Sequence, residues 1–171
     1  MADLEALDRK ANPGAFSTFD MAVLVPEVER LEPGEIYLEV GVDKGKSLSV
    51  AKMVAKEGVE IWGVDLCKDP KVPGTRFENG DSRIIKLEKK VKVIFIDGDH
   101  TYEGVKKDFE MYHNLVNEGG VVVFHDICDH SAPQWAHVKV KQFWDEIKGG
   151  YKYHEFVHEP LDWGGLGVLD L

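Results

Sequence analysis

Ile36-Tyr37-Leu38-Glu39-Val40-Gly41-Val42-Asp43-Lys44-Gly45-Lys46-Ser47-Leu48-Ser49-Val50-Ala51 is the stretch that decides the fold. A short apolar run stops at a glycine, turns through a second glycine and continues with helical spacing. A buried strand, a tight turn and a helix N-terminus in that order form a small-molecule site at the edge of an α/β sheet. Gly41 lets a ligand approach the backbone with no Cβ in the way. Gly45 eases the turn, and Ser47 is placed to accept from free N–H groups at the helix start. Those N–H groups favour an anionic ligand group. Glu39 beside them would repel a pyrophosphate, so a zwitterionic or cationic ligand suits the mixed charge.

Working outward, residues 4–10 and 19–31 predict two helices, the second with Pro26 as a kink. The first strand is 36–40 and the first crossover helix 46–57, closed by Gly58. The second strand is 60–65. The next nine residues hold two prolines and a glycine, too few and too broken for a crossover helix. A short third strand over 75–78 and a helix over 82–90, capped by Asp81 or Ser82, come next. The fourth strand, 91–97, is apolar on both faces. A helix over 101–117 is stopped by Gly119-Gly120, and the fifth strand is 121–124. A polar loop then leads to a helix over 134–148 and to two antiparallel strands, 151–157 and 166–171. Strand–helix alternation implies a parallel sheet with right-handed crossovers.

At 171 residues the chain suits one domain, 1–171, with 1–35 as a helical cover and 36–171 as the core. Its net charge of −10 argues against a nucleic-acid partner, which requires clustered Lys and Arg. No apolar run is long enough for a membrane span, and the acidic N-terminus has no signal-peptide pattern. Cys67 and Cys128 lack zinc or Cys-x-x-Cys spacing. These features predict a cytoplasmic protein without a membrane partner.

Ligands of open α/β sheets bind outside the carboxyl ends of the strands. Every strand end here carries a carboxylate: Glu39 and Asp43, Asp65, Asp81, Asp97 and Asp126. Asp65 is placed to accept from the hydroxyls of a ribose, and Asp81 either faces an adenine amino group or caps a helix.

The set Glu39-x-Gly41-x-x-x-Gly45-x-Ser47, then Asp65, then Gly80-Asp81-Ser82 resembles the class I S-adenosylmethionine-dependent methyltransferases. Phe95-Ile96-Asp97-Gly98-Asp99-His100-Thr101-Tyr102-Glu103, with Gly119-Gly120-Val121-Val122-Val123-Phe124-His125-Asp126, resembles the subfamily of macrolide sugar O-methyltransferases and cephalosporin-biosynthesis methyltransferases. The resemblance implies a Rossmann-like three-layer α/β sandwich, its seven-stranded sheet ordered 3-2-1-4-5-7-6 with strand 7 antiparallel. It implies S-adenosyl-L-methionine as cofactor, with Glu39, Gly41, Asp43, Gly45, Ser47 and Asp97 near the methionine part, Asp65 on the ribose and Asp81 near the adenine. It further implies a divalent metal at Asp97 and Asp126, with His125 standing where the family has an acidic residue. Two carboxylates and an imidazole can still hold a metal, but Mg²⁺ prefers an all-oxygen shell, which leaves a softer ion such as Mn²⁺, or no metal, as the alternatives. His100 matches the family's proposed general base, and its ordinary pKa suits deprotonation of a hydroxyl.

The expected activity is therefore O-methylation of a hydroxyl on a small molecule, a sugar or glycoside, with or without metal assistance. The alternatives are a Rossmann-type oxidoreductase, disfavoured by the missing Gly-x-Gly-x-x-Gly, and a non-catalytic nucleotide-binding scaffold. His113, His130, His137, His154 and His158 read as surface or loop residues. Trp135, Trp144 and Trp163 read as packing, although Trp163 and residues 16–19 are candidates to cover the acceptor. The short link after strand two leaves the cofactor pocket open or closed by a second copy of the chain, a homo-oligomer.

Overall fold

A computed structural model describes residues 2–82, 89–157 and 164–171. Five helices and seven strands organise them: α1 (Leu4–Lys10), α2 (Thr18–Glu29), β1 (Ile36–Val40), α3 (Lys46–Val54), β2 (Glu60–Asp65), β3 (Arg76–Asn79), β4 (Val91–Ile96), α4 (Tyr102–Tyr112), β5 (Val116–His125), α5 (Val140–Ile147), β6 (Lys152–Phe156) and β7 (Leu166–Asp170). The sheet order is β3-β2-β1-β4-β5-β7-β6, with β7 antiparallel to both neighbours. This is the Rossmann-like sandwich expected from the sequence.

Alternation along the strands creates the three layers, because successive side chains leave a strand on opposite faces. In β1, Ile36, Leu38 and Val40 join one apolar cluster while Tyr37 joins the other. The same split separates Val122 and Phe124 of β5 from Val121 and Val123. One cluster receives Met21, Leu24 and Val28 of α2 and Leu48 and Ala51 of α3; the other receives Val105 and Phe109 of α4 and Phe143 and Trp144 of α5. All five residues of β1 are buried, as befits a central strand. Among the described residues no helix is long and apolar enough to cross a membrane.

Several boundaries differ from the sequence reading. The helix after β1 ends at Val54, capped by Ala55, and Gly58 lies beyond it in the turn, at φ +88. The helix after β4 ends at Tyr112 and tightens into a single turn over His113–Leu115. Gly119 and Gly120 therefore do not stop a helix but lie within β5. There the pairing slips from Val91↔Val116 to Val93↔Val121, so β5 carries an insertion. Gly119 takes φ +68, and a Cβ on Gly120 would meet the Lys92 carbonyl oxygen at 2.5 Å, so glycine is required by the bulge. The helix expected over 134–148 is split into a short turn, Pro133–Trp135, and α5. The cause is tertiary: the Lys139 N–H donates to the His100 carbonyl at 2.7 Å instead of continuing a helix. β3 begins one residue later than expected. No helix or strand occupies 66–75, in line with the shortened link. The helix expected over 82–90, the stretch rich in lysine there, His158 and Trp163 fall wholly or mainly outside the described residues.

Gly41 joins the central strands at the site edge. It adopts φ +88, and a Cβ there would meet the Asp97 carbonyl oxygen at 2.2 Å and the Gly98 Cα at 2.5 Å. Close approach of the β4 loop, rather than of a ligand alone, demands glycine. Gly41→Ala should therefore destabilise the protein by ~3 kcal/mol or more, beyond the usual cost of a left-handed alanine, as read from urea unfolding. A loss under ~1 kcal/mol would show that the two loops part easily.

Candidate active site

A cleft of about 550 Å³ opens along the carboxyl edge of the sheet, within the size range of small-ligand sites. One end is the β1 loop with Gly41, Asp43 and Ser47, flanked by Asp65 and Asp81; the other holds Asp97, His100, His125 and Asp126. The acidic groups scattered along the sequence thus converge on one cavity. Of the residues singled out in the sequence, Glu39 and Gly45 do not line it.

Glu39 is fully buried beneath the loop. It accepts from the Tyr37 hydroxyl at 2.7 Å and from the Ser47 hydroxyl at 2.6 Å. Ser47 consequently makes no cap; the N-cap is Gly45, at φ +80. Burial drives the Glu39 carboxyl up, the two hydroxyls oppose this, and the negative charges of Asp97 and Asp65 add to the rise, giving about 8. At neutral pH this carboxyl is mostly uncharged, so the repulsion expected between Glu39 and an anionic ligand is largely removed.

Asp65 terminates β2 and braces the glycine loop. One carboxylate oxygen accepts from the backbone N–H groups of Val42 and Asp43, the other from that of Cys67. Burial raises its pKa, but these donors outweigh burial and hold it below the usual carboxylate value. Asp43 itself sits at φ +47, a conformation uncommon for a residue with a Cβ. Asp81 lines the same end of the cleft, beside Ser82, whose hydroxyl donates to buried Asp108.

At the other end, Asp97 follows β4 and Asp126 follows β5. Asp126 turns the chain at φ +62. The His100 Nε2 lies 3.1 Å from Asp97 Oδ1 and 3.3 Å from Asp126 Oδ2. The His125 Nδ1 lies 3.3 Å from both Asp97 Oδ1 and Asp126 Oδ1. Burial alone would lift the Asp97 carboxyl; the His125 charge and the hydrogen bond from His100 reverse that and hold it well below the carboxylate range. His100 is raised above its ordinary value, first by its bond to Asp97, against the opposing effect of burial. Burial disfavours charge on His125, yet the surrounding carboxylates carry its pKa well upward.

Two residues here were not anticipated. His130, expected at the surface, has a side chain only 3% exposed and its Nε2 3.4 Å from Asp126 Oδ1. The signal was the four-residue spacing of Asp126 and His130 after a strand end. Asp20, from α2, is 3% exposed and reaches His125. Trp135, read as packing, lines the cleft with its side chain partly open to solvent, and Phe16 lines it from the N-terminal segment.

The donor set fits a divalent cation. One ligand atom each from Asp97, His100 and Asp126 lie within 4.8 Å of one another. Both ring nitrogens of His125 are buried without a hydrogen bond of good geometry, their nearest carboxylate oxygens lying 3.3 Å from Nδ1 and 3.5 Å from Nε2.

Comparison with known proteins agrees with this architecture. The family described as a methyltransferase domain matches residues 38–127, just over half of the chain. An uncharacterized protein of Acanthamoeba polyphaga mimivirus is 29% identical over 147 residues, which cover 73% of this chain and 66% of the viral protein. Among solved structures, the MycE methyltransferase of mycinamycin biosynthesis, in complex with Mg, S-adenosylhomocysteine and mycinamycin VI, superposes with a TM-score of 0.69 at 16% identity, over 98% of this chain and 53% of that one. An O-methyltransferase from Bacillus cereus in complex with S-adenosylhomocysteine gives 0.64 at 14% identity, over 98% and 90% of the two chains. The N-methyltransferase NodS from Bradyrhizobium japonicum, in complex with S-adenosylhomocysteine, gives 0.65 at 11% identity, over 98% and 97%. At these identities the structures establish a shared fold.

The buried Glu39 generates a pH test. Its folded pKa of about 8 exceeds its ordinary 4.5. Between these values the folded state binds more protons than the unfolded one, so this group's contribution to stability falls as pH rises. Glu39→Gln keeps both hydroxyls partnered and removes the ionisation. Its stability relative to wild type should therefore improve by on the order of 3 kcal/mol between about pH 5 and about pH 9. Urea unfolding at both pH values checks this; a constant difference would mean that Glu39 is ionised in the folded protein throughout.

Proposed function

The chain belongs to the methyltransferase-domain family and is an S-adenosylmethionine-dependent enzyme, and from that premise we propose that it methylates a hydroxyl oxygen of a small molecule such as a sugar or glycoside. Family membership removes the oxidoreductase and the scaffold that the glycine loop alone left open. The observation that carries the finer reading is His100 Nε2 facing both the Asp97 and Asp126 carboxylates in the cleft that also holds the glycine loop.

In this reading the β1 loop, with Gly41, Asp43 and Ser47, and Asp97 beyond it, cradles the methionine part of the cofactor. Asp65 accepts from the ribose hydroxyls with the lone pairs its backbone donors leave over, and Asp81 faces the adenine. Glu39 and Gly45 act from beneath, shaping the loop rather than touching the cofactor. His100 takes the proton of the acceptor hydroxyl at Nε2. The oxygen then attacks the methyl carbon in line with sulfur; the O–C bond forms as the C–S bond breaks, and its electron pair neutralises the sulfonium. Positioning and base assistance together account for the acceleration.

Asp97, Asp126 and His125 would hold the divalent ion, Mn²⁺ or Mg²⁺, and its positive charge would make the acceptor hydroxyl more acidic. A small acceptor is favoured over RNA by the net charge of −10, which would repel a phosphate backbone. The N-terminal segment is read as a cover belonging to the same single domain, since Gly14 and Phe16 line the cleft. A second arrangement, with His100 rather than His125 as the third ligand, is favoured by the mutual reach of the Asp97, His100 and Asp126 donor atoms.

One variant separates these. His100→Ala should lower methyl transfer to a responsive hydroxylated acceptor by roughly 10²–10⁴-fold, with S-adenosylhomocysteine affinity unchanged by calorimetry. Unchanged Mn²⁺ affinity supports the base; a parallel fall in Mn²⁺ affinity makes His100 a ligand. Loss of S-adenosylhomocysteine affinity in step with turnover would overturn both roles.

A further inference from the structure

Asp20 is a buried carboxylate that the reaction as derived above does not use. It sits on the buried side of α2 among Met21, Val23 and Leu24. Burying a charge there is costly unless it is paired. Its Oδ2 is committed locally: the Ser17 backbone N–H and hydroxyl both donate to it at 2.7 Å, and the Ser17 hydroxyl accepts from the Asp20 N–H at 3.2 Å, closing a capping box. A capping box explains a carboxylate at this position but not its burial, since such caps work at the surface.

The other oxygen explains the burial. Asp20 Oδ1 lies 3.5 Å from His125 Nε2, an ion-pair contact rather than a close hydrogen bond. Among the described residues no other carboxylate is within ion-pair reach of that nitrogen. The opposite nitrogen, Nδ1, faces Asp97 and Asp126. The imidazole is thus strung between α2 and the two strand-end carboxylates. The ring meets Phe95 edge to face, 6.2 Å away between centroids, and Phe95 in turn meets Phe16.

We propose that Asp20 is a positioning residue of the active site: by engaging Nε2, it fixes the His125 ring so that Nδ1 is presented to the ion held with Asp97 and Asp126. This rests on the reading of Asp97, His125 and Asp126 as the ligand set. A carboxylate behind a ligating histidine orients the ring and makes it a better ligand. Here that carboxylate comes from the N-terminal segment. The capping box binds the same group to the backbone of Ser17, next to the cleft-lining Phe16. The N-terminal segment is therefore a working part of the site and not only its cover.

The test uses the full chain and Mn²⁺ as the probe. By calorimetry, Asp20→Ala should weaken Mn²⁺ binding about 10- to 100-fold, with S-adenosylhomocysteine affinity unchanged. Asp20→Asn, whose amide oxygen still accepts from Nε2–H, should recover most of that loss. Ser17→Ala, which breaks the capping box but leaves Asp20 opposite His125, should lower the melting temperature and keep Mn²⁺ affinity within about threefold. An Asp20→Ala protein that binds Mn²⁺ normally, or that loses Mn²⁺ and S-adenosylhomocysteine together, would overturn the assignment, as would failure of the Asn variant to rescue. In parallel, ¹⁵N spectra of histidine-labelled protein should show the His125 Nε2 signal moved by Asp20→Ala and not by Ser17→Ala; an unmoved signal would also overturn it. If the wild type binds neither Mn²⁺ nor Mg²⁺, the ligand-set reading fails and with it the role proposed for Asp20.

Discussion

Carboxylates that end neighbouring parallel strands repel one another, and this molecule depends on how that repulsion is offset. Adjacent strands lie only about 4.8 Å apart, and β2, β1, β4 and β5 all deliver acidic side chains to the same edge. Three different compensations are at work. Asp97 and Asp126 are bridged by imidazoles. Asp65 is held by backbone N–H groups. Glu39, the most deeply buried, escapes by favouring its protonated form. Each acid is offset by its own neighbours, which lets one edge of the sheet carry all of them.

The two ends are not mechanically independent. Gly41 and the Asp97–Gly98 backbone are in contact with no room for a methyl group. The Lys139 N–H ties the segment carrying Trp135 to the carbonyl of His100. Asn12 donates to the Lys44 carbonyl, and Lys46 pairs with Asp8 at 2.7 Å, so the N-terminal segment is strapped onto the glycine loop. Packing of the sheet therefore determines the relative placement of groups that lie far apart in the chain.

The legible parts of the sequence were those dictated by local pattern. Apolar runs bounded by turn residues located β1 and β2 to the residue, and strand-end acids located the cleft. What escaped was decided by tertiary contact. Gly119-Gly120 resembles a helix stop, yet it serves a bulge shaped by Lys92. A helix pattern over 134–148 is broken by one hydrogen bond to His100. His130 looked like a loop residue because its partner, Asp126, turns back through a left-handed conformation that no local pattern announces. Asp20 carried a signal, an acid on an apolar helix face, but capping explains the acid there, and its burial makes sense only once His125 at the end of β5 is seen beside it.

The rims of the sheet carry a different consequence. β6 exposes all five of its residues, and β3 is at most half-buried. Unpaired edge amides invite addition of another strand. Here the edges alternate charge with apolar groups: Lys152 and Glu155 on β6 are tied to Asp170 and Lys148, and Arg76 on β3 to Glu78. An incoming strand would have to strip water from these fixed ions before its amides could pair. Aggregation by edge-to-edge stacking is thereby discouraged on both sides, and the apolar Tyr153 and Phe156 can remain at a rim without nucleating fibrils.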